Sequence, residues 1–216
     1  MTIRTFHSQL DYVKQELLTM GNKVEEVIAE MKEAFESDNK AQMKMLIAED
    51  SAINQLELDM HDKVTLLISK QQPVATDLRK LIVALKISSD LERVADLVVD
   101  MAKQSIRMNK HSLPVYKEQL LAMLRIAEDM ITKSLEAYEK SDILMAQKIA
   151  LTDDKVDTQY GDLIRELFKV EDASVEVDQI TQLAFIGRYI ERIADYATNI
   201  SEWVVYEVNG KHFDLN

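Results

Sequence analysis

Apolar residues recur every three or four positions along most of the chain, which is the spacing of one face of an amphipathic helix. The first run covers residues 6–35, the second residues 43–67, and the third residues 74–108. Pro73 comes just before the third run, and proline fits the first turn of a helix because an N–H there has no partner. The pattern predicts three long helices in the first half of the chain.

The second half of the chain repeats this arrangement. Apolar residues at helical spacing predict a fourth helix over residues 120–138 and a fifth over residues 143–170. A sixth helix should end near residue 208, because Gly210 suits the position just past the C-terminal end of a helix.

Short segments rich in residues that favour caps and turns separate the predicted helices at 37–39, 140–142 and 171–174, and a joint lies at 109–114. Joints this short force each helix to fold back antiparallel on its predecessor. We therefore expect an all-α fold in which six long antiparallel helices form two pseudo-symmetric three-helix bundles. The two predicted repeats cover residues 1–109 and 112–210.

The composition supports long helices and excludes several classes of function. Only four glycines and two prolines occur in 216 residues, and the glycines are too scattered to form a phosphate loop or a dinucleotide-binding motif. A net charge of −12 disfavours binding to nucleic acid, which requires clustered lysine and arginine. The absence of cysteine excludes disulfides, thiolate zinc sites, iron–sulfur clusters and cysteine nucleophiles.

The apolar runs also bear on location and assembly. The first nine residues lack the apolar core of a signal peptide, and no run approaches the roughly 18 apolar residues of a membrane span. We expect a cytoplasmic protein, peripheral to a membrane complex at most. Bundles with this much apolar surface also favour a homo-oligomer, and we expect a dimer.

A charged motif occurs twice, with an offset of 99 residues at every matched position. Residues 90–100 read DLERVADLVVD and residues 189–199 read YIERIADYATN. In a helix, side chains four residues apart stand one above another, about 5–6 Å apart, so each copy displays a row of oxygen-bearing side chains. The rows are formed by Glu92, Asp96 and Asp100 in the first copy and by Glu191, Asp195 and Asn199 in the second.

Acidic residues also occur on the second and fifth predicted helices, with an offset of 103 residues between Asp50 and Asp153. If each pair of helices brings these faces together, two charges about 6 Å apart repel by roughly 2.8 kcal/mol at an effective dielectric constant of 20. A cation would relieve this repulsion, and carboxylates suit Mg, Mn, Ca or non-haem iron. The candidate metal ligands are Asp50, Asn54, Glu57, Glu92, Asp96, Asp100, Asp153, Asp157, Glu191, Asp195 and Asn199.

Other interpretations of these residues remain open at this point. Acids spaced by four on one helix commonly form a solvated face, which would make the protein a metal-free helical scaffold. A carboxylate-bridged metalloenzyme would use the same residues, although no Glu-x-x-His pair of the di-iron kind occurs and histidine is scarce. His61 could join a metal site or simply accept and donate hydrogen bonds, and Arg93 and Arg192 could bind phosphate or pair with neighbouring acids. We expect a non-enzymatic protein with no catalytic residue.

The sequence resembles the PhoU family, accessory regulators of bacterial phosphate-specific transport. The resemblance covers essentially the whole chain, and its motifs are residues 71–80 (QQPVATDLRK), residues 84–96 (ALKISSDLERVAD) and residues 188–199 (RYIERIADYATN). It implies six helices in two three-helix bundles. It also implies a negative regulator of the phosphate-starvation response that links the ATPase subunit of a phosphate ABC transporter to a sensor histidine kinase.

The resemblance further implies metal binding through Glu/Asp-x-x-x-Asp motifs. In this sequence these motifs fall on Glu92 with Asp96, Asp96 with Asp100, Glu191 with Asp195, and Asp153 with Asp157. Divalent or multinuclear metal ions are expected, with Fe, Mn, Mg or Zn as candidates. The chain departs from the family pattern at Asn54 and Asn199, where an amide replaces a carboxylate.

Overall fold

The computed structural model describes residues 3–109, 113–171 and 175–215. Its helices are α1 (Ile3–Glu36), α2 (Lys40–Glu49), α3 (Ser51–Gln71), α4 (Ala75–Arg107), α5 (Pro114–Lys140), α6 (Ile143–Leu167) and α7 (Val177–Asn209). Within these ranges the remaining residues form turns and connecting segments.

The predicted all-α fold of six antiparallel helices is confirmed, with one refinement. The second predicted helix is formed by α2 and α3, which meet at Asp50. Asp50 keeps right-handed helical dihedral angles of φ −48° and ψ −39°, so the chain direction continues from α2 into α3. The helical hydrogen-bond pattern is interrupted at a residue that is itself a candidate metal ligand.

The helices form two bundles that lie side by side. Helix α1 packs with α2, α3 and α4 in the first bundle, and α5, α6 and α7 pack together in the second. The bundles meet where α4 lies against α7 and α1 against α5. Helices α4 and α7 each carry one copy of the duplicated motif, and Leu91, Val98, Ile190 and Ala197 beside the acids are fully buried. Burial of these apolar rows fixes the rotation of both helices and therefore the direction of the acids.

The predicted breaks at 37–39 and 140–142 are confirmed by matching helix caps. Asn39 Oδ1 accepts a hydrogen bond from the backbone N–H of Gln42 at 3.2 Å, and Asp142 Oδ1 accepts one from Met145 at 3.0 Å. Gly210 ends α7 as predicted, with a positive φ of 71° and its N–H donating to the carbonyl of Tyr206 at 2.8 Å.

Two details differ from the expectation. Pro73 lies before the cap residue Val74 and outside the first turn of α4, because Gln72 in a left-handed conformation first closes α3 with a hydrogen bond to Ile68. Helix α6 ends at Leu167, three residues before its predicted end. Residues 110–112 of the predicted joint and residues 172–174 of the predicted cap lie outside the described ranges, and the limits of the two repeats stay a prediction. None of the helices described is long and apolar enough to cross a bilayer.

Candidate metal centres

Three carboxylates of the second bundle converge between α6 and α7. One oxygen each of Asp157, Glu191 and Asp195 lies within 4.8 Å of the other two. Asp157 is exposed, Asp195 is half-buried and Glu191 is only 8% exposed, so the group reaches from the surface into the bundle. We call Asp153, Asp157, Glu191 and Asp195 the second-half cluster.

Asp153 forms the inner wall of this cluster, one helical turn before Asp157 on α6. Asp153 is 3% exposed, its buried Oδ1 has no hydrogen-bond partner of ordinary geometry among the described residues, and the nearby Thr198 hydroxyl only partly opposes the rise in its pKa. Burial, followed by the charges of Asp195 and Asp157, raises the pKa of Asp153 to about 6. A buried carboxylate oxygen without a partner is costly, and a bound cation would satisfy it.

Glu191 is also buried with an unpartnered oxygen, but it forms one ion pair. Burial, followed by the charge of Asp195, raises the pKa of Glu191 to about 7, and Oε2 has no hydrogen-bond partner in the described part of the chain. Arg188, one turn earlier on α7, forms an ion pair with Oε1 and opposes the shift. Sequence reasoning missed Arg188, although its position three residues before a candidate ligand was a usable signal.

The acids of the first bundle lie on α4 and at the junction of α2 with α3. Asp50 and Asn54 each have a buried Oδ1 that lacks a partner among the described residues. Burial, followed by the charge of Asp96, raises the pKa of Asp50. Burial and Asp96 also raise the pKa of Glu92, with further contributions from Glu57 and Asp50. We call Asp50, Asn54, Glu57, Glu92, Asp96 and Asp100 the first-half cluster.

Basic side chains neutralise part of the first-half cluster. Arg93 pairs with Asp96 at 3.2 Å and with Glu92 at 3.5 Å. Of the two roles left open for this arginine, these contacts favour pairing with neighbouring acids over binding phosphate. Lys103 pairs with Asp100 at 2.9 Å.

His61 Nε2 lies 3.1 Å from Glu57 Oε1, which fits its interpretation as a hydrogen-bonding residue. Arg192, in contrast, donates to the Tyr196 hydroxyl at 3.5 Å. Asn199 is half-buried one turn beyond Asp195.

Both clusters present the chemistry that a hard cation requires. Their donors are carboxylate and amide oxygens, which are the ligands of Mg, Mn, Ca and non-haem iron. Buried oxygens without partners occur in both, at Asp50 and Asn54 in one and at Asp153 and Glu191 in the other. Within the described ranges, the second-half cluster alone brings three carboxylates within 4.8 Å of one another.

The fold and these clusters define an all-α protein of two bundles, each with an acidic face between two of its helices. The family model described as the PhoU domain matches residues 17–105 and 120–204, and the chain belongs to the PhoU family.

Relatives and solved structures extend this similarity over the whole length. The chain is 36% identical to a phosphate-specific transport system accessory protein PhoU homolog of Clostridium acetobutylicum, over 100% of both chains. It is 29% identical to the phosphate-specific transport system accessory protein PhoU of Escherichia coli K12, over 96% of this chain and 87% of that one.

Two crystal structures of family members superpose closely on the fold. The phosphate transport system regulatory protein PhoU of Streptococcus pneumoniae matches with a TM-score of 0.91 and 29% identity, over 97% of this chain and 99% of that one. PhoU of Pseudomonas aeruginosa matches with a TM-score of 0.90 and 28% identity, over 95% and 100%.

Proposed function

We propose that this protein regulates phosphate uptake and represses the phosphate-starvation response when phosphate is plentiful. The observation that carries the proposal is its full-length similarity to accessory proteins of the phosphate-specific transport system. Because an accessory protein of a transporter acts through contacts with other proteins, we assign it a regulatory role and no enzymatic one. The partners that the family resemblance implies are the ATPase subunit of the phosphate ABC transporter and a sensor histidine kinase, at the cytoplasmic side of the membrane.

Deletion of the gene tests the regulatory role. Cells that lack the protein should express phosphate-scavenging genes in phosphate-rich medium, and reintroduction of the full chain should restore repression. Co-purification of the chain with the transporter's ATPase subunit, and separately with the histidine kinase, tests the two contacts. Unchanged expression in the deletion strain would contradict the proposal.

We further propose that the two acidic clusters bind divalent or multinuclear metal ions, with Fe, Mn, Mg and Zn as candidates. Support comes from buried carboxylate oxygens that lack partners and from the elevated pKa values of Asp153 and Glu191. A bound cation would favour the ionised form of both groups. Elemental analysis of protein purified without chelator identifies the metal.

A double variant separates metal binding from regulation. Glu191→Gln with Asp195→Asn should remove metal from the second-half cluster, while Asp154→Asn, an exposed neighbour on α6, should leave the metal content unchanged. If the double variant loses metal from this cluster but still restores repression in the deletion strain, metal at the second-half cluster does not serve regulation. A native chain that contains no metal would contradict metal binding altogether.

A further inference from the structure

A cavity of about 140 Å³ lies where the two bundles meet, among α1, α4, α5 and α7. Its inner wall contains Tyr138 and Glu207, both buried, and its opening carries Lys80, Asp11 and Ser141, all exposed. Lys14 from α1 lies between the wall and the opening. None of these residues belongs to the duplicated motif or to either acidic cluster.

Glu207 is the unusual member of this cavity. Its side chain is 8% exposed, and its buried Oε2 has no hydrogen-bond partner among the described residues. Buried polar atoms in folded proteins are almost always satisfied, and a buried carboxylate without a partner is among the costliest exceptions. Burial raises the pKa of Glu207, while Lys14, Lys80 and Arg79 oppose that shift. Glu207 lines the cavity, and the described part of the chain supplies no hydrogen-bond donor to its Oε2.

Basic side chains surround this carboxylate. Arg79 is held in place because its Nη1 donates to the backbone carbonyl of Glu207 at 3.3 Å and its guanidinium lies 5.6 Å from the Tyr206 ring centre. Lys14 Nζ lies 5.0 Å from the ring centre of Tyr138. Lys14 and Lys80 line the cavity together with Asp11 and Glu207, and Arg79, outside the lining, adds a third positive charge that acts on Glu207. Three positive charges beside two carboxylates favour an anion over a metal cation.

The hydrogen-bonding groups define the anion further. Lys14, Lys80, Ser141 and the Tyr138 hydroxyl supply donors, and the pKa of Tyr138 is raised by burial and then by Glu207, which keeps the phenol protonated. Glu207 supplies an acceptor. The matching ligand is an oxyanion that carries several acceptor oxygens and one O–H donor. Inorganic phosphate has a P–OH group at neutral pH, whereas sulfate has none and a phosphate monoester loses its own above a pKa of about 6.

We propose that this cavity binds inorganic hydrogen phosphate. Glu207 accepts a hydrogen bond from the P–OH group, and Lys14, Lys80 and Tyr138 donate to the other oxygens. The cavity volume suits one tetrahedral ion with a few water molecules, since a single ordered water needs about 10–15 Å³. The proposal does not depend on the regulatory role, because binding can be measured on the isolated chain whatever its effect on gene expression.

Competition between anions tests the ligand on the native chain. The protein is first freed of metal on a chelating resin, so that phosphate cannot bind through a cation, and phosphate binding is then measured by equilibrium dialysis at pH 8. Sulfate and methyl phosphate, which have no O–H donor at this pH, should bind at least about tenfold more weakly, as expected for loss of a hydrogen bond to a charged group. Equal competition by sulfate would overturn the role of Glu207. Equal competition by methyl phosphate would overturn the choice of the free ion.

Substitutions locate the site. Glu207→Gln keeps the shape and adds an N–H₂ donor, so sulfate should gain affinity and the preference for phosphate should fall to about one. Lys14→Met and Lys80→Met should each weaken phosphate binding about tenfold. Lys148→Met, at an exposed position of α6, is the matched control and should change nothing. Absence of phosphate binding to the native chain at millimolar concentration would show that the cavity holds water only and would overturn the proposal.

Discussion

Replacement of Asp153 by asparagine removes one charge from the second-half cluster and tests its electrostatics directly. Asp153 is 3% exposed, and its pKa rises from 3.8 to about 6 because of burial and then because of Asp195 and Asp157. An acid whose pKa is raised by folding binds more protons in the folded state than in the unfolded state between these two values. The free energy of unfolding therefore falls as the pH rises from about 4 to about 6, and stays low above that range.

The size of the effect follows from the same two values. At about 1.4 kcal/mol for each tenfold change in acidity, a rise from 3.8 to about 6 costs the folded state about 3 kcal/mol above pH 6. The neighbouring carboxylates titrate together with Asp153, so part of this cost is shared with them. Without metal, Asp153→Asn should therefore raise the free energy of unfolding at pH 7.5 by roughly 1 to 3 kcal/mol, with little change at pH 3.5.

Urea denaturation in the presence of a chelator measures the free energy of unfolding at pH 7.5 and at pH 3.5. Asp154→Asn is the matched control, because it removes the same charge from an exposed position one residue away. Asp154 contributes least to the raised pKa of Asp153, so this variant should change stability by less than about 0.5 kcal/mol. A variant Asp153→Asn that is less stable than the native chain at pH 7.5 would refute the electrostatic argument.

Added metal should reverse the order of stability. A ligand that binds only the folded state stabilises it by about 2.7 kcal/mol at a concentration one hundred times its Kd. The native chain should gain this amount from Mn²⁺, Mg²⁺, Zn²⁺ or Fe²⁺, whichever it binds, and Asp153→Asn should gain clearly less. If none of the four ions stabilises the native chain, the metal proposal fails.

Three further predictions concern packing, capping and the order of metal binding. An added methyl group at Gly187 would lie 2.9 Å from a leucine of α6, and overpacking of about 1 to 3 kcal/mol is partly offset by the helix preference of alanine, so Gly187→Ala should lower stability by up to about 2 kcal/mol in urea denaturation. Gly161→Ala, whose added methyl group meets no atom closer than 3.6 Å, should instead gain about 0.5 to 1 kcal/mol. Loss of the cap in Asp142→Ala should lower stability by about 1 kcal/mol, which circular dichroism during denaturation can record. In Mn²⁺ titrations followed by electron paramagnetic resonance, Glu191→Gln should remove the tighter site and Glu92→Gln the weaker one. The opposite order would contradict the geometry.

The helices could be predicted because their causes are local. The 3.6-residue period fixes which side of each helix is buried, and cap residues such as Asn39 and Asp142 occur directly at the breaks. The division of α2 from α3 also had a local signal, since Asp50 and Ser51 are both residues that favour caps. It was missed because the apolar period continues through the break.

Features built from several helices could not be predicted in the same way. Glu207 lies near the C-terminal end of α7 between Tyr206 and Val208, with nothing in its neighbours to indicate burial. Its surroundings come from α1, α4 and α5, so only the packing of the two bundles brings Lys14 and Tyr138 to it. Helical spacing indicates which side of α7 faces inward, but it does not indicate which residues of other helices will be met there.

The comparison of the two halves shows why a duplicated motif gives unequal clusters. Arg93 and Arg192 are equivalent by the 99-residue offset, yet Arg93 pairs with Asp96 while Arg192 contacts the hydroxyl of Tyr196, a residue whose equivalent in the first half is a leucine. At the same offset, the position of Lys103 is occupied by Glu202. The second half therefore lacks the counterpart of Lys103, and Arg192 acts on Asp195 through its charge without forming an ion pair with it.

Arg188, which takes the place of a serine, restores one ion pair, with Glu191. Packing constrains the buried apolar rows of both helices, because a change of even one methyl group is felt in a dense core. It constrains the charges beside them much less. The duplicated rows therefore preserve the placement of the acids, while neighbouring substitutions alter the positive charge around them. The second half keeps one arginine ion pair where the first half has three ion pairs of arginine and lysine, and it is also the half in which three carboxylates converge, so its need of a cation is the greater.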